Sequence, residues 1–216
     1  GGILVDQWGL RSSFLSFLVI MGALFLVARQ LPITPVSMGG RFWQGAASLF
    51  ANWQWNILLL TVFSSSIAMS IIHSYLFLYM DQLGASKTLM GYSLAVATLS
   101  EIPVFFYADR LLQRWGARGV LLIALVCQVV RVFAYAMMPN AWWILPISLL
   151  HGPTFSAMWS ASVAYASELA APRGLVATAQ GLLTAIIMGL GGVVGALAGG
   201  LVLERWGAVT LFSLAG

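Results

Sequence analysis

The stretch Trp55-Asn-Ile-Leu-Leu-Leu-Thr-Val-Phe-Ser-Ser-Ser-Ile-Ala-Met-Ser-Ile-Ile-His73-Ser-Tyr-Leu-Phe-Leu-Tyr79 contains no Asp, Glu, Lys or Arg. A helix rises about 1.5 Å per residue, so roughly 20 apolar residues cross a hydrocarbon layer about 30 Å thick. Lipid offers no partner to a free backbone N–H or C=O, which makes the helix the conformation such a stretch adopts. The same ruler, moved outward along the chain, fits residues 12–27, 90–107, 119–137, 142–166 and 179–203, and a further apolar run opens at Ala208. Six spans and the start of a seventh describe an all-α integral membrane protein.

Composition agrees with that reading. Hydrophobic residues make up 61% of the chain and charged residues 7%, against roughly 25% charged in a soluble domain. A water-soluble fold is excluded. Ten basic and six acidic residues leave a net charge of +4, spread too thinly to neutralise a run of phosphates, so nucleic acid is not an expected partner. The single cysteine, Cys127, lies in an apolar run, and one thiol builds neither a disulfide framework nor a thiolate metal cluster. No cofactor motif and no metal set are expected. The chain opens on Gly1-Gly2 and stops within an apolar run, which reads as a piece of a longer protein.

Most connections are short. The exception is segment 30–54, which carries Pro32, Pro35, Gly39, Gly40 and Gly45 between two apolar patches and reads as a linker between two bundles. Alternating the loops across the membrane puts Arg29, Arg41, Arg110, Arg114, Arg118 and Arg173 on one side, against Arg11, Lys87 and Arg205 on the other. The excess of positive charge predicts that the linker is cytoplasmic. Gly2-Ile-Leu-Val-Asp-Gln-Trp-Gly9 through Phe14 recurs as Gly200-Leu-Val-Leu-Glu-Arg-Trp-Gly207 through Phe212, at a constant offset of 198 residues. A six-helix repeat of about that length implies two halves related by duplication. The expected organisation is therefore the last helix of an N-terminal bundle at 1–29, the linker at 30–54, and a C-terminal bundle at 55–216.

Two six-helix halves joined by a cytoplasmic linker resemble the major facilitator superfamily. Ala108-Asp109-Arg110-Leu-Leu-Gln-Arg114-Trp-Gly116-Ala-Arg118 is similar to the superfamily's loop signature of an aspartate, a glycine and several basic residues, although the leading glycine is missing and the spacing is stretched. Ser100-Glu101-Ile102-Pro103, together with Ala171-Pro172-Arg173-Gly174 through Gln180-Gly181, resembles the lactose permease and phenylpropionate permease branch. On that resemblance the spans are helices six to eleven and the start of twelve of a twelve-helix, two-bundle transporter, and the N-terminal bundle of the same protein is the partner of this one.

A charge at mid-membrane costs roughly 2.5–3.5 kcal/mol on insertion scales, so it persists only if paired, hydrated or useful. His73, Glu101, Arg131 and His151 pose that question. Arg131 and His151 stand on antiparallel spans joined by the Pro139-Asn140 turn. Counting along each helix places both within roughly 4–7 Å of its midpoint, on the side away from the linker. His73 lies on that side too. An Arg followed on the next helix by a His resembles the proton-coupling group of lactose-permease-like symporters. The family pattern adds a carboxylate one turn after that His, where this chain has Thr154. Glu101 is the only acid well inside a span, which makes it the proton-carrier candidate. The competing reading pairs it permanently with Arg131 or with a basic residue near the linker side.

Arg131 keeps its charge at ordinary pH, so it either holds an anionic solute group, tunes a nearby acid, or serves as a structural partner. His73, flanked by Ser70 and Ser74, has the alternative of a satisfied packed imidazole, and His151 beside Gly152-Pro153 has the same. Gly191, Gly195 and Gly199 form a small-residue stripe, which permits close helix packing and is compatible with a sliding, gating surface. Asp109, Arg110, Arg114 and Arg118 read as a solvated turn or, by the resemblance, as a latch on one state of the transport cycle. Trp53, Trp55, Trp142 and Trp143 fall at span ends as interfacial anchors. Tyr75, Tyr79 and Tyr92 are further residues that face a solute or the packing.

These features point to a secondary transporter of a small polar or anionic solute, coupled to protons. A uniporter or drug exporter on the same scaffold and a non-transporting membrane sensor are the alternatives. A membrane-embedded enzyme needs an aspartate pair, a metal set or a nucleophile with its base. Asp81 and Asp109 flank opposite ends of one helix and do not meet, and no other set has usable spacing.

Overall fold

The computed structural model describes residues 10–30 and 41–216. The repeat copy at 2–9 and the linker core at 31–40 lie outside the described residues. Every element among the described residues is helical. Two compact units, 1–39 and 40–216, divide the chain. The first contains α1 (Leu10–Ala28), whose apolar part, Phe14–Ala28, is shorter than a full span.

The second unit begins with α2 (Arg41–Phe50), so the latter part of segment 30–54 folds with the residues that follow it. Its buried side, Ala46 and Leu49, faces inward while Trp43 is exposed. The Arg173 guanidinium donates to the Ser48 carbonyl at 2.9 Å, tying α2 to the loop near Gly174. The Asn52 side chain then accepts from Gln54 N and starts α3 (Trp53–Gln82). Ser86 caps α4 (Lys87–Phe106) by accepting from Leu89 N at 3.2 Å; such caps satisfy donors that the first turn leaves free.

Helix α5 (Ala108–Ala136) bends sharply at Gly116, where φ is 67° and ψ is 163°. That backbone region is almost confined to glycine. The bend separates a two-turn helix carrying Asp109, Arg110 and Arg114 from the span proper. The expected span at 142–166 is a composite. A 3-10 turn (Ala141–Trp143) leads into α6 (Ile144–Ser148), a π-turn (Gly152–Ser156) and α7 (Ala157–Ala170). Pro146 and Pro153 each lack the N–H that a regular helix would use there.

A 3-10 turn (Ala171–Arg173) connects to α8 (Val176–Thr184), a second π-turn (Ala185–Leu190) and α9 (Gly191–Ala215). Helix α9 bends at Gly207 (φ 79°, ψ 174°), in the same backbone region as Gly116 and also after a Trp. The break expected between 203 and 208 is therefore present. Among the described residues four helical stretches are long and apolar enough to cross a membrane: Trp53–Gln82, Lys87–Phe106, Ala108–Ala136 and Val176–Ala215.

Packing is bipartite. One apolar cluster gathers Trp55, Leu58, Val62, Ala124, Met158, Ala161 and Leu183 toward the α2 end. A second gathers Ile72, Tyr79, Val132, Tyr135, Ile144 and Phe212 toward the other. Trp55 corrects the expectation of an interfacial anchor: it is fully buried, whereas Trp53, Trp142 and Trp143 are exposed. Its ring lies on the helix face turned into the bundle, two positions from Trp53. Of the buried polar residues, Ser65, Gln128 and Arg131 come from α3 and α5, the helices that carry both clusters, while Ser148 lies on α6 and His151 and Thr154 at the π-turn.

Candidate functional site

Arg131 extends from α5 into the interior and is 3% exposed. Its Nε donates to the Tyr135 hydroxyl at 3.1 Å, one turn along the same helix, and its Nη1 donates to Thr154 Oγ1 at 3.0 Å. The Thr154 hydroxyl in turn donates to the His151 carbonyl at 2.9 Å. Thr154 thus stands where the family resemblance implies a carboxylate, and it offers the guanidinium a neutral oxygen. The permanent pairing of Glu101 with Arg131 is absent. Glu101 Oε1 instead lies 3.2 Å from His151 Nε2, the one contact of an acid with a basic side chain at ion-pair distance among the described residues.

That contact depends on a close crossing between α4 and the π-turn. Gly152 N donates to Ser100 Oγ at 2.9 Å, and Ser100 Oγ donates to the Ala97 carbonyl at 2.6 Å. A Cβ on Gly152 would collide with the Ser100 carbonyl oxygen and stand 3.1 Å from Glu101 N. Only a residue without a side chain admits this approach, and the approach sets Glu101 against His151. Pro153 follows directly, and the wider π-turn carries the chain past the crossing.

His73 on α3 completes the group, its ring centroid 6.3 Å from that of His151. His151 also stacks on Phe155, with centroids 5.5 Å apart and planes at 6°. A cavity of about 290 Å³ opens onto these residues; His73, Ser93, Thr98, Arg131, Tyr135, Ser148 and His151 supply polar lining, and Ile72, Leu76, Phe77, Leu94 and Ala97 the apolar remainder. Glu101 reaches this cavity through His151. His73 also borders a smaller cavity of about 190 Å³ against Met69, Met158 and Met188.

The other sequence candidates lie elsewhere. Gly191, Gly195 and Gly199 press α9 onto α3, where added Cβ atoms would meet Ser66, the Ile67 carbonyl and the Tyr75 ring. Tyr75 donates to the Ala196 carbonyl within that contact and does not line the cavity. Tyr79 packs on Phe212, with centroids 5.5 Å apart, and Tyr92 is exposed. Arg110, Arg114 and Arg118 lie over the rings of Tyr107, Trp115 and Tyr165 at 5.4, 5.7 and 4.9 Å. Asp109 occupies the first turn of α5 and forms no ion pair among the described residues.

Tyr135 was not singled out in the sequence, although its position four residues after Arg131 places both on one helix face. Gln128, whose Nε2 donates to the Ser65 carbonyl at 2.9 Å, was also missed. It ties α5 to α3 just below the site. Among the described residues no group of three or more His, Cys, Asp or Glu gathers as a metal site.

Comparison with known proteins places these observations in a family context. Residues 2–214 match the MFS_1 like family. The maltose permease of Geobacillus stearothermophilus is 31% identical over 214 residues, 98% of this chain and 54% of that protein. A major facilitator superfamily domain-containing protein 6-like of Mus musculus is 30% identical over 72% of this chain and 26% of its own length. The probable 3-phenylpropionic acid transporter of Escherichia coli K12 is 29% identical over 52% of this chain and 29% of that protein. The chain spans about half the length of the first of these relatives and less of the others.

Proposed function

The chain belongs to the MFS_1 like family of major facilitator membrane proteins, and from that membership we propose that the full-length protein is a secondary active transporter moving a small polar or anionic solute by alternating access in symport with protons. The observation that carries the reading is the contact of Glu101 Oε1 with His151 Nε2 at 3.2 Å, beside a buried Arg131 and an open cavity. A carboxylate against an imidazole forms a site that can hold one added proton between the two groups. Arg131 stays charged throughout and senses whether that proton is present.

In this reading the N-terminal bundle supplies the opposite wall of the cavity, and the two bundles rock about the site. Proton arrival at the Glu101–His151 pair and solute arrival at Arg131 together permit the occupied carrier to reorient. The glycine stripe of α9 keeps α3 and α9 moving as one body. The basic turn at Asp109, Arg110, Arg114 and Arg118, on the cytoplasmic side with the linker, latches one end of the cycle. His73 closes the polar side of the cavity.

The test is uptake by the full-length protein in liposomes, with maltose and 3-phenylpropionate as probes because two relatives carry those names. The account expects an inward proton gradient to drive accumulation of one of them. Glu101→Gln should retain solute exchange without a gradient and lose the gradient-driven accumulation. Accumulation by Glu101→Gln equal to that of the unsubstituted protein would sink the assignment of the coupling role.

A further inference from the structure

From the charge balance and lining of the cavity we infer that the transported solute is an amphipathic monocarboxylate, its carboxylate bound by Arg131 and its apolar body held by Ile72, Leu76, Phe77, Leu94 and Ala97. The inference rests on the transport reading above and narrows its solute class. Arg131 is buried, yet both of its hydrogen bonds go to neutral hydroxyls, those of Tyr135 and Thr154. Its Nη2 makes none among the described residues, and no carboxylate there lies within ion-pair distance. Glu101, the one acid in the group, is taken by His151.

A buried guanidinium without a carboxylate is costly, and its planar fork matches a carboxylate in a two-point contact. The free donors belong to a side chain that lines the 290 Å³ cavity, so an incoming anion reaches them without displacing an internal partner. The rest of the wall that this chain supplies, His73 and His151 apart, suits an apolar body better than a polyhydroxylated one. A sugar buries many hydroxyls, each needing a partner. Here the hydroxyl-bearing lining is limited to Ser93, Thr98, Tyr135 and Ser148, and the Ser93 hydroxyl is already donated to the Met90 carbonyl at 2.7 Å. Five aliphatic or aromatic side chains face the same space and suit a short hydrocarbon or a ring.

Charge bookkeeping favours the same class. With one proton on the Glu101–His151 pair, the site is left with the uncompensated charge of Arg131, and a monoanion cancels it. The loaded carrier then reorients with no net charge in its interior, which a low-dielectric medium favours. A neutral solute would leave one net positive charge in the proton-loaded carrier as it reorients.

Equilibrium binding to the full-length protein in detergent, with no gradient present, tests the inference apart from coupling. The probes are 3-phenylpropanoate, its primary amide and maltose. Expected is binding of the carboxylate between about tenfold and a hundredfold tighter than the amide, the range for a charge-assisted hydrogen bond against a neutral one. Arg131→Gln should erase that preference by weakening the carboxylate and leaving the amide unchanged, while Arg131→Lys restores part of it. Equal binding of carboxylate and amide by the unsubstituted protein overturns the inference, and so does tighter binding of maltose; neither comparison needs a variant to fold. Carboxylate binding without any gradient-driven uptake keeps the inference and overturns symport. Gradient-driven maltose uptake without carboxylate binding does the reverse.

Discussion

Replacing Gly152 with alanine tests whether backbone proximity sets the coupling pair. The added Cβ would lie 2.5 Å from the Ser100 carbonyl carbon and closer still to its oxygen. Ordinary contact begins near 3.4 Å, so α4 and the π-turn must part by about 1 Å. The neighbour is backbone, which has no rotamer to give. Because Glu101 follows Ser100 directly, its contact with His151 opens from 3.2 Å to about 4 Å, beyond hydrogen-bond reach. Overpacking of this kind costs about 1–3 kcal/mol of stability. The larger effect falls on coupling: a 1 Å misplacement of positioned groups lowers a rate roughly a hundredfold, so gradient-driven uptake by the full-length protein in liposomes should fall by about that factor. Gly195→Ala is the control, because its Cβ would meet the Ile67 carbonyl at 2.6 Å, in the α9–α3 contact. It should lose stability to a similar degree and keep its coupling ratio. If Gly152→Ala accumulates solute as the unsubstituted protein does, the pair does not depend on this crossing and the argument fails.

Four further substitutions probe stability through thermal unfolding in detergent. Thr154→Ala removes the acceptor of Arg131 Nη1 and leaves a buried charged donor unmatched, which should cost about 1–3 kcal/mol; an unchanged midpoint would mean that Thr154 does not hold the guanidinium. Gly116→Ala and Gly207→Ala meet open space at Cβ, with φ of 67° and 79°, so any loss is purely conformational and should reach about 1–3 kcal/mol each. Gly91→Ala, also in open space but inside a regular helix, should be neutral or slightly stabilising.

Four of the six expected spans, near 55–79, 90–107, 119–137 and 179–203, were legible because a membrane forces one conformation on a long apolar run. That Arg131 and His151 come to one cavity was within reach as well, because the Pro139-Asn140 turn is short enough for residue counting to bring their helix positions level. Lateral arrangement was not. Glu101 and His151 meet because Gly152 lies on Ser100, a contact between segments some fifty residues apart that no periodicity encodes. The same limit explains Trp55. Its place near a span end suggested an interface, while the face it occupies, which turns it into the core, is set by neighbouring helices. The composite at 142–166 was hidden for a different reason: hydropathy counts apolar residues and is blind to the hydrogen bonds that Pro146 and Pro153 remove. Tyr135 was within reach of the sequence, since a hydroxyl one turn after a buried arginine is a natural acceptor.

Coupling of solute movement to a proton through the Glu101–His151 pair is the central claim, and proton flux itself tests it most directly. Full-length protein is placed in lightly buffered liposomes, protein-free liposomes serve as the baseline, and the external pH is followed as 3-phenylpropionate or maltose is added outside without an imposed gradient. The account predicts that the transported probe alkalinises the external medium above the baseline, and that Glu101→Gln abolishes this signal while solute exchange continues. Solute entry with no proton movement above the baseline, or an undiminished signal in Glu101→Gln, would contradict it.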